Sequence, residues 1–204
     1  MAGAPLRLAC LISGGGRTML NLADRIDDGS LNASIELVIA SRGNIAGVEK
    51  SKERGFDTHI ILRRDFDSDQ AMHDRISALL RENRIDLVCL CGYLRWFRVD
   101  PDFRGRVINI HPALLPDFGG TGMHGARVHE AVLAAKRTTS GCTVHVVDEQ
   151  YDHGRVILRR TCPVLPKDTA DSLAARVFEQ ECLAYPEAIG QLAAACETRR
   201  GQRS

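Results

Sequence analysis

The sequence predicts an α/β fold, a single domain with a doubly wound, mostly parallel sheet and helices on both faces. Three observations carry that expectation. Short, β-rich apolar runs alternate with amphipathic segments through the first half of the chain. A glycine-rich turn joins the first apolar run directly to the first helical pattern. The chain has 204 residues, 44% of them hydrophobic, enough for one well-filled core.

The apolar runs Leu6 to Ile12, Ile35 to Ala40, Thr58 to Leu62, Ile85 to Leu90 and Val107 to Ile110 read as strands. They are continuous rather than alternating, as strands buried on both faces must be. Helical patterns lie between them at Thr18 to Ile26, Ala46 to Arg54 and Asp69 to Asn83, and in the third Met72, Ile76, Leu79 and Leu80 share one stripe. Strand-helix-strand repetition requires right-handed crossovers. The second half changes character. A glycine-rich loop runs from Pro116 to Gly125, and a helix follows from Ala126 to Lys136. Strands at Thr143 to Val147 and Val156 to Val164 are joined by only Asp148 to Arg155, which suits an antiparallel pair. A helix is expected from Thr169 to Leu183 with Asp168 as its N-cap, broken by Pro186, with a last helix to Cys196 and a frayed polar tail from Glu197. No repeat, linker or boundary interrupts the chain, so residues 1–204 are expected to form one domain.

Composition excludes several functions. A net charge of +1 and 5% aromatic residues argue against a nucleic-acid partner. No apolar run is long enough to cross a bilayer, and Met1 to Pro5 does not resemble a signal peptide, so a cytoplasmic protein without membrane contact is expected. The seven cysteines are scattered through apolar segments and read as reduced core thiols. Cys89 and Cys91 share a strand face, but no second pair completes a zinc pattern, so no metal is expected.

Chemistry is concentrated in a few places. Ser13-Gly14-Gly15-Gly16-Arg17-Thr18 follows the first strand and opens the first helix, where backbone amides and the helix N-terminus can cradle a phosphate. It is neither a Walker motif, lacking the lysine, nor a full dinucleotide fingerprint, because Met19 takes the third glycine's place. The alternative is a tight turn with no ligand. Asn109 and His111 are two residues apart on a strand and point the same way at its carboxyl end, ahead of the rigid Pro112 to Pro116 turn. An amide donor beside an imidazole suits an oxyanion and a proton transfer. Tyr151-Asp152-His153-Gly154 is a turn, and a turn aspartate commonly bonds only its own backbone. If this loop folds over the sheet edge, Asp152 can partner His111 and raise its pKa, with His145 on the preceding strand as support. Leu94-Arg95-Trp96-Phe97 can flank a flat aromatic ligand or cap the core. Glu179 and Glu181 read locally as a solvated helix face.

Five blocks together resemble the phosphoribosylglycinamide formyltransferases, the folate-dependent glycinamide ribonucleotide transformylases of purine synthesis. They are Leu11 to Thr18, Leu90 to Arg95, Asn109 to Pro116, Gly141 to Glu149 and Tyr151 to Gly154, and their order and spacing cover the chain from Leu8 to about Pro186. The resemblance implies a Rossmann-like formyltransferase fold. It implies direct transfer of the formyl group of 10-formyltetrahydrofolate, a co-substrate, to the amine of glycinamide ribonucleotide through a tetrahedral intermediate. By resemblance Asn109, His111 and Asp152 are catalytic. Gly16, Arg17, Thr18 and Glu181 would hold the ribonucleotide. Leu94, Arg95, Trp96 and Phe97, with Asn109 and the Asp148, Glu149, Gln150, Tyr151 and Asp152 loop, would bind the folate. The small molecules are the expected partners, and the assembly is expected to be a monomer or homodimer.

The chain departs from better-known members. Gly15 replaces an asparagine or threonine, and Arg17-Thr18 replaces serine-asparagine; backbone amides do most of the cradling, so binding is expected to survive. The Asp117 to His124 segment resembles a glycine-rich bacterial variant, and Asp69 stands where some relatives place an arginine near the folate. A methionyl-tRNA formyltransferase would carry a further domain and a basic surface, and a formyltetrahydrofolate hydrolase an N-terminal regulatory domain. A nucleotide-binding module or dinucleotide oxidoreductase would leave Asn109, His111 and Asp152 unexplained.

Overall fold

The structure, a computed structural model, describes residues 4–201. Its strands are β1 (Leu6–Ile12), β2 (Ala33–Ala40), β3 (Thr58–Ile60), β4 (Leu87–Leu90), β5 (Val107–His111), β6 (Thr139–Val146) and β7 (Val156–Pro163). Its helices are α1 (Arg17–Asp27), α2 (Ala46–Glu53), α3 (Asp69–Glu82), α4 (Ala126–Ala134) and α5 (Ala170–Gly201). The hydrogen-bonded strand order is β3-β2-β1-β4-β5-β6-β7. The chain divides into two compact units, one running to Val107 and resuming at Gly190, the other Ile108–Ile189.

The first unit is parallel throughout: β1 pairs with β2 and with β4, and β2 pairs with β3. Leu8, Ala9, Cys10, Leu11 and Ile12 are all fully buried, so both faces of β1 are covered, as its unbroken apolar run requires. The expected stripe of α3 is buried at Met72, Ile76, Leu79 and Leu80. Ser68 caps this helix, its hydroxyl accepting from the Ala71 amide at 3.0 Å. Strand order reverses where β1 meets β4, and the segments leaving their carboxyl ends are the 13–16 loop that opens α1 and the 91–97 loop, the place where open α/β sheets bind ligands.

The second unit is an antiparallel meander, as the short β6–β7 connection requires. β6 starts four residues earlier than expected, at Thr139. The polar Thr139-Ser140-Gly141 start hides a strand whose Gly141 lies against β7, where a Cβ would meet the Arg160 carbonyl oxygen at 2.0 Å. Thr169, not Asp168, caps α5: its hydroxyl accepts from Ser172 N at 3.2 Å while its own N–H donates to Ser172 Oγ at 2.9 Å. Asp168 instead takes the Leu165 amide and the Arg176 guanidinium.

Pro186 does not break the last helix, which continues through it. A helical proline forfeits a backbone bond at a cost of about 3 kcal/mol. Burial outweighs that here: Ala184, Tyr185, Ala188 and Ile189 are fully buried, and the Tyr185 hydroxyl donates to the Ile108 carbonyl at 3.1 Å. Of the tail expected to fray, Glu197 to Gly201 continue α5 and residues 202–204 lie outside the described residues.

Candidate active site

Strand pairing assembles the chemical groups of the second unit. In the β5–β6 ladder Asn109 lies opposite His145 and His111 opposite Thr143. The β6–β7 connection then returns Asp152 to them. Gly154 makes that return possible, since a Cβ there would meet the Val146 carbonyl oxygen at 1.8 Å. Asp152 itself adopts the left-handed conformation, φ 55°, that aspartate and asparagine tolerate better than most residues. The result is a cluster in which His111 and His145 are buried and Asn109 and Asp152 are half-buried. Asp152 Oδ1 lies 3.3 Å from Asn109 Nδ2 and 3.4 Å from His145 Nε2, and its Oδ2 lies 3.4 Å from His111 Nδ1.

Each proton in the cluster has a direction. His145 Nδ1–H donates to the Val146 carbonyl at 3.0 Å, so Nε2 is free to accept from the Asn109 amide at 3.2 Å. Both Asn109 amide protons are then used, one on His145 and one on Asp152. His111 Nε2–H donates to the Phe118 carbonyl at 2.8 Å, which leaves Nδ1 as the basic nitrogen facing Asp152. The Gly120 amide donates to Asp152 Oδ2 at 3.0 Å.

The charges follow. Burial pushes the Asp152 carboxyl up, but His145, His111 and the Gly120 amide together outweigh it and hold the group below the usual carboxylate range. Burial pulls His111 below its ordinary value; Asp152 and the Phe118 carbonyl oppose this without reversing it. The carboxylate therefore acts on His111 in the expected direction, but desolvation wins, and near neutral pH the pair is carboxylate and neutral imidazole. His129 on α4, also lowered by burial and then by His111, completes the ring of titratable groups around His111 with Asp152 and His145.

The first unit holds the other expected site residues. Gly16 adopts φ 71° as the residue before α1, and Gly14 and Gly15 have open space where side chains would be. The helix N-terminus has no side-chain cap, so its amides are directed outward. Gly47 of α2, which sequence reasoning missed, buttresses this loop: its N–H donates to the Gly14 carbonyl at 3.2 Å, and a Cβ would meet that oxygen at 2.5 Å. Ser13 ties the glycine loop to the loop after β4, its hydroxyl accepting from the Leu94 amide at 2.9 Å and bonding Ser41 Oγ at 2.6 Å. Leu94 and Trp96 are exposed, whereas Phe97 is buried edge-on against Tyr93 and His73.

Beside these loops lies a cleft of about 390 Å³ whose lining includes Ser41, Arg42, Arg63, Arg64 and Arg95. Asp69 does not place a net negative charge here, because Arg63 pairs with it. Arg42 and Arg95 form no ion pair among the described residues, so the cleft is suited to a multiply charged anion.

The Asp148 loop is set by Asp148 itself, which accepts the Gln150 amide at 2.8 Å and pairs with His153 at 3.1 Å, leaving Tyr151 exposed. Glu181 is half-buried on α5. After desolvation, its charge is the next largest influence holding the Cys142 thiol up at about 12. Cys10, Cys89, Cys91, Cys142 and Cys162 are buried and Cys182 is half-buried, and none of the six forms a disulfide among the described residues. Burial raises the Cys91 and Cys162 thiols, so these are unreactive core side chains.

A family model described as formyl transferase matches residues 6–189. The chain belongs to the formyl transferase family. It is similar to the chloroplastic phosphoribosylglycinamide formyltransferase of Arabidopsis thaliana, 36% identical over 196 residues, covering 95% of this chain and 66% of the relative. The phosphoribosylglycinamide formyltransferase of Haemophilus influenzae is 31% identical over 185 residues, 90% of this chain and 85% of that one. The crystal structure of phosphoribosylglycinamide formyltransferase from Brucella melitensis superposes with a TM-score of 0.84 at 36% identity, covering 93% of this chain and 96% of that one. The chain spans slightly less than two thirds of the Arabidopsis relative and 14% of the trifunctional purine biosynthetic protein of Drosophila melanogaster. The fold is the expected formyltransferase α/β fold. Among the described residues no helix is long and apolar enough to cross a membrane, and no group of three or more His, Cys, Asp or Glu side chains could hold a metal ion.

Proposed function

We propose that this chain transfers the formyl group of 10-formyltetrahydrofolate to the amine of 5-phosphoribosylglycinamide, as a phosphoribosylglycinamide formyltransferase of purine synthesis. The observation that carries this is the Asn109–His111–Asp152 cluster in a member of the formyl transferase family. The family match runs across both compact units, which supports reading the chain as one formyltransferase domain. A cytoplasmic protein, monomeric or homodimeric and acting on small molecules alone, fits the reading.

The residues divide the work by their chemistry. Gly16, Arg17 and Thr18 would take the ribonucleotide phosphate on outward-directed amides at a positive helix end, with Glu181 as a further ribonucleotide contact. Leu94, Arg95, Trp96 and Phe97 and the Asp148 to Asp152 loop would hold the folate. Leu94 and Trp96 of the first unit and Tyr151 of the second are exposed and offer apolar surface, and Phe97 is buried.

Transfer needs a nucleophile, an oxyanion partner and a proton path. The substrate amine attacks the formyl carbon, and the carbonyl electron pair moves onto oxygen. An Asn109 amide proton turns from Asp152, the longer of its two bonds, to that oxygen. Neutral His111 accepts the ammonium proton at Nδ1. The imidazolium so formed has both protons placed, Nδ1–H toward Asp152 and Nε2–H on the Phe118 carbonyl. Its charge then stabilises the oxyanion, and as the oxygen's electron pair re-forms the carbonyl and the bond from the formyl carbon to the folate nitrogen breaks, the Nδ1 proton passes to that departing nitrogen. His145 would keep the Asn109 amide oriented. No covalent enzyme intermediate is required.

The test is release of tetrahydrofolate from 10-formyltetrahydrofolate with and without the ribonucleotide. Release that depends on the ribonucleotide is expected. Equal release in its absence would make the chain a hydrolase, and no release in either case would remove formyl transfer to this acceptor.

A further inference from the structure

The segment Asp117 to Gly120 touches both members of the His111–Asp152 pair. Phe118 gives its carbonyl to His111 Nε2, and Gly120 gives its amide to Asp152. Between them Gly119 has no room for a side chain: a Cβ would meet Leu115 Cδ2 at 2.5 Å and Asp152 Cβ at 3.2 Å. The segment is thus a strap laid flat on the pair.

Its backbone is held by those two bonds and by the Met123 amide, which donates to the Gly120 carbonyl at 3.1 Å, but none of the three seats the Phe118 side chain. Phe118 sits at φ 57°, a left-handed conformation that a bulky side chain avoids. The chain is anchored upstream at Leu115, whose N–H donates to Thr143 Oγ1 and whose carbonyl accepts from Arg159, both at 3.0 Å. It becomes helical again only at Ala126. Beside the strap is a cavity of about 250 Å³ lined by Leu114, Asp117, Phe118, Val132, Arg137 and Ser140 among others, so close packing does not seat the Phe118 ring there. Arg137 does the holding. Its guanidinium pairs with the Asp117 carboxylate and lies 5.7 Å from the centre of the Phe118 ring. Arg137 is itself fixed where α4 ends, its N–H donating to the Val132 carbonyl at 3.3 Å.

We infer that Arg137 is a positioning residue for His111: by clamping Asp117 and Phe118 it keeps the Phe118 carbonyl on Nε2 and leaves Nδ1 as the nitrogen that exchanges protons. A neutral imidazole carries one N–H, and the hydrogen bond at one nitrogen decides which nitrogen that is. A carbonyl only accepts, so the proton stays on Nε2 while Phe118 is in place. With the strap loosened, the proton is free to move to Nδ1, where Asp152 Oδ2 lies 3.4 Å away and attracts it. The base then faces away from the reaction. Asp152, His145 and His129, the titratable groups around His111, remain in both states. The effect on turnover rests on the formyl-transfer reading; the effect on the imidazole does not.

The experiment is nitrogen-15 histidine NMR of the whole protein, with His111 assigned by its loss in a His111→Asn variant, alongside steady-state kinetics. Wild-type His111 is expected in the Nε2–H tautomer. In Arg137→Ala the Nδ1–H form appears, and kcat falls on the order of 10-fold, within the range one misplaced group costs. KM for both substrates stays within about 2-fold, because no substrate contact is removed. Arg137→Lys restores part of the effect, since lysine keeps the ion pair but has no flat face for Phe118. Asp117→Asn moves the same signals from the other side of the clamp. A folded Arg137→Ala or Asp117→Asn with the wild-type tautomer overturns the inference. A wild-type protein without ribonucleotide-dependent transfer overturns the formyl-transfer reading instead, while the histidine spectrum still decides the clamp.

Discussion

Replacing Asp152 by asparagine separates chemistry from binding more cleanly than any other single change. Asparagine has the same shape and tolerates the φ of 55° at this position. Its side-chain oxygen can still accept the Gly120 amide, and its NH2 can approach His145 Nε2. The strap and the β6–β7 turn should therefore survive, and what is lost is the charge, together with the Oδ1 acceptor of the Asn109 amide. Asp152 Oδ2 lies 3.4 Å from His111 Nδ1, with the carboxylate side chain only 10% exposed. Two unit charges at that separation attract by about 5 kcal/mol at an effective dielectric near 20. The imidazolium is only partly formed in the transition state, so kcat should fall between about 10² and 10³ fold, at about 1.4 kcal/mol per decade. KM for the ribonucleotide should change by less than about 2-fold, because removing a transition-state interaction leaves ground-state binding alone. The assay is steady-state formation of tetrahydrofolate with each substrate varied in turn. Turnover within about 3-fold of wild type, or a loss confined to KM, would refute the assignment of Asp152 to the proton path.

Other regions give independent tests. In Gly47→Ala the new Cβ needs the space of the Gly14 carbonyl and of Ile12 Cδ1 at 2.8 Å, so the glycine loop must shift. KM for the ribonucleotide should rise on the order of 10-fold or more, about 1.4 kcal/mol, with kcat less affected; unchanged KM would separate this loop from ribonucleotide binding. Activity should fall with pH along a limb set by His111, which must be neutral to accept a proton and which burial holds below its ordinary 6.5. A pH–kcat profile whose acid limb lies above pH 7 would contradict this. Asp168 is held well below the carboxylate range, first by the Arg176 guanidinium and then by the Leu165 amide. A depressed carboxylate stabilises the fold above its unfolded value near 4 and loses that contribution as pH falls through the folded one. Asp168→Asn should therefore lower Tm at pH 7 and lower it less at pH 3; an equal loss at both would mean that its charge is not what matters.

Local physics decided which parts of the structure the chain announced. β1 matched its expected bounds because a run of apolar residues, interrupted only by Arg7 and set between Pro5 and Ser13, permits one assignment. The common orientation of Asn109 and His111 followed from the two-residue period of a strand, whereas their meeting with Asp152 was only a condition on how the loop folds, which the β6–β7 return fulfils. What was hidden depended on distant contacts. Proline chemistry at Pro186 says break, but the burial of Tyr185 and Ile189 that overrides it is tertiary. Gly47 looks like an ordinary weak point in a helix until Gly14 is placed against it. Phe118 and Arg137 carry no motif, since one acts through a carbonyl and the other through a side chain on a neighbouring loop. The sign of the His111 shift was also beyond the sequence: a carboxylate partner can be expected from spacing, but the desolvation that outweighs it is known only once the imidazole is buried. Asp69 stands where some relatives place an arginine near the folate, and its pairing with Arg63, which lines the cleft, became visible only in the structure.

The central claim is that the formyl carbon passes directly to the ribonucleotide amine. It is tested by carrying a carbon-13 label in the formyl group of 10-formyltetrahydrofolate and following it by NMR in the presence of glycinamide ribonucleotide. With direct transfer, the label appears in the formyl-amide of the ribonucleotide product at the rate at which tetrahydrofolate forms. Label recovered as free formate, with the ribonucleotide unchanged, would contradict it.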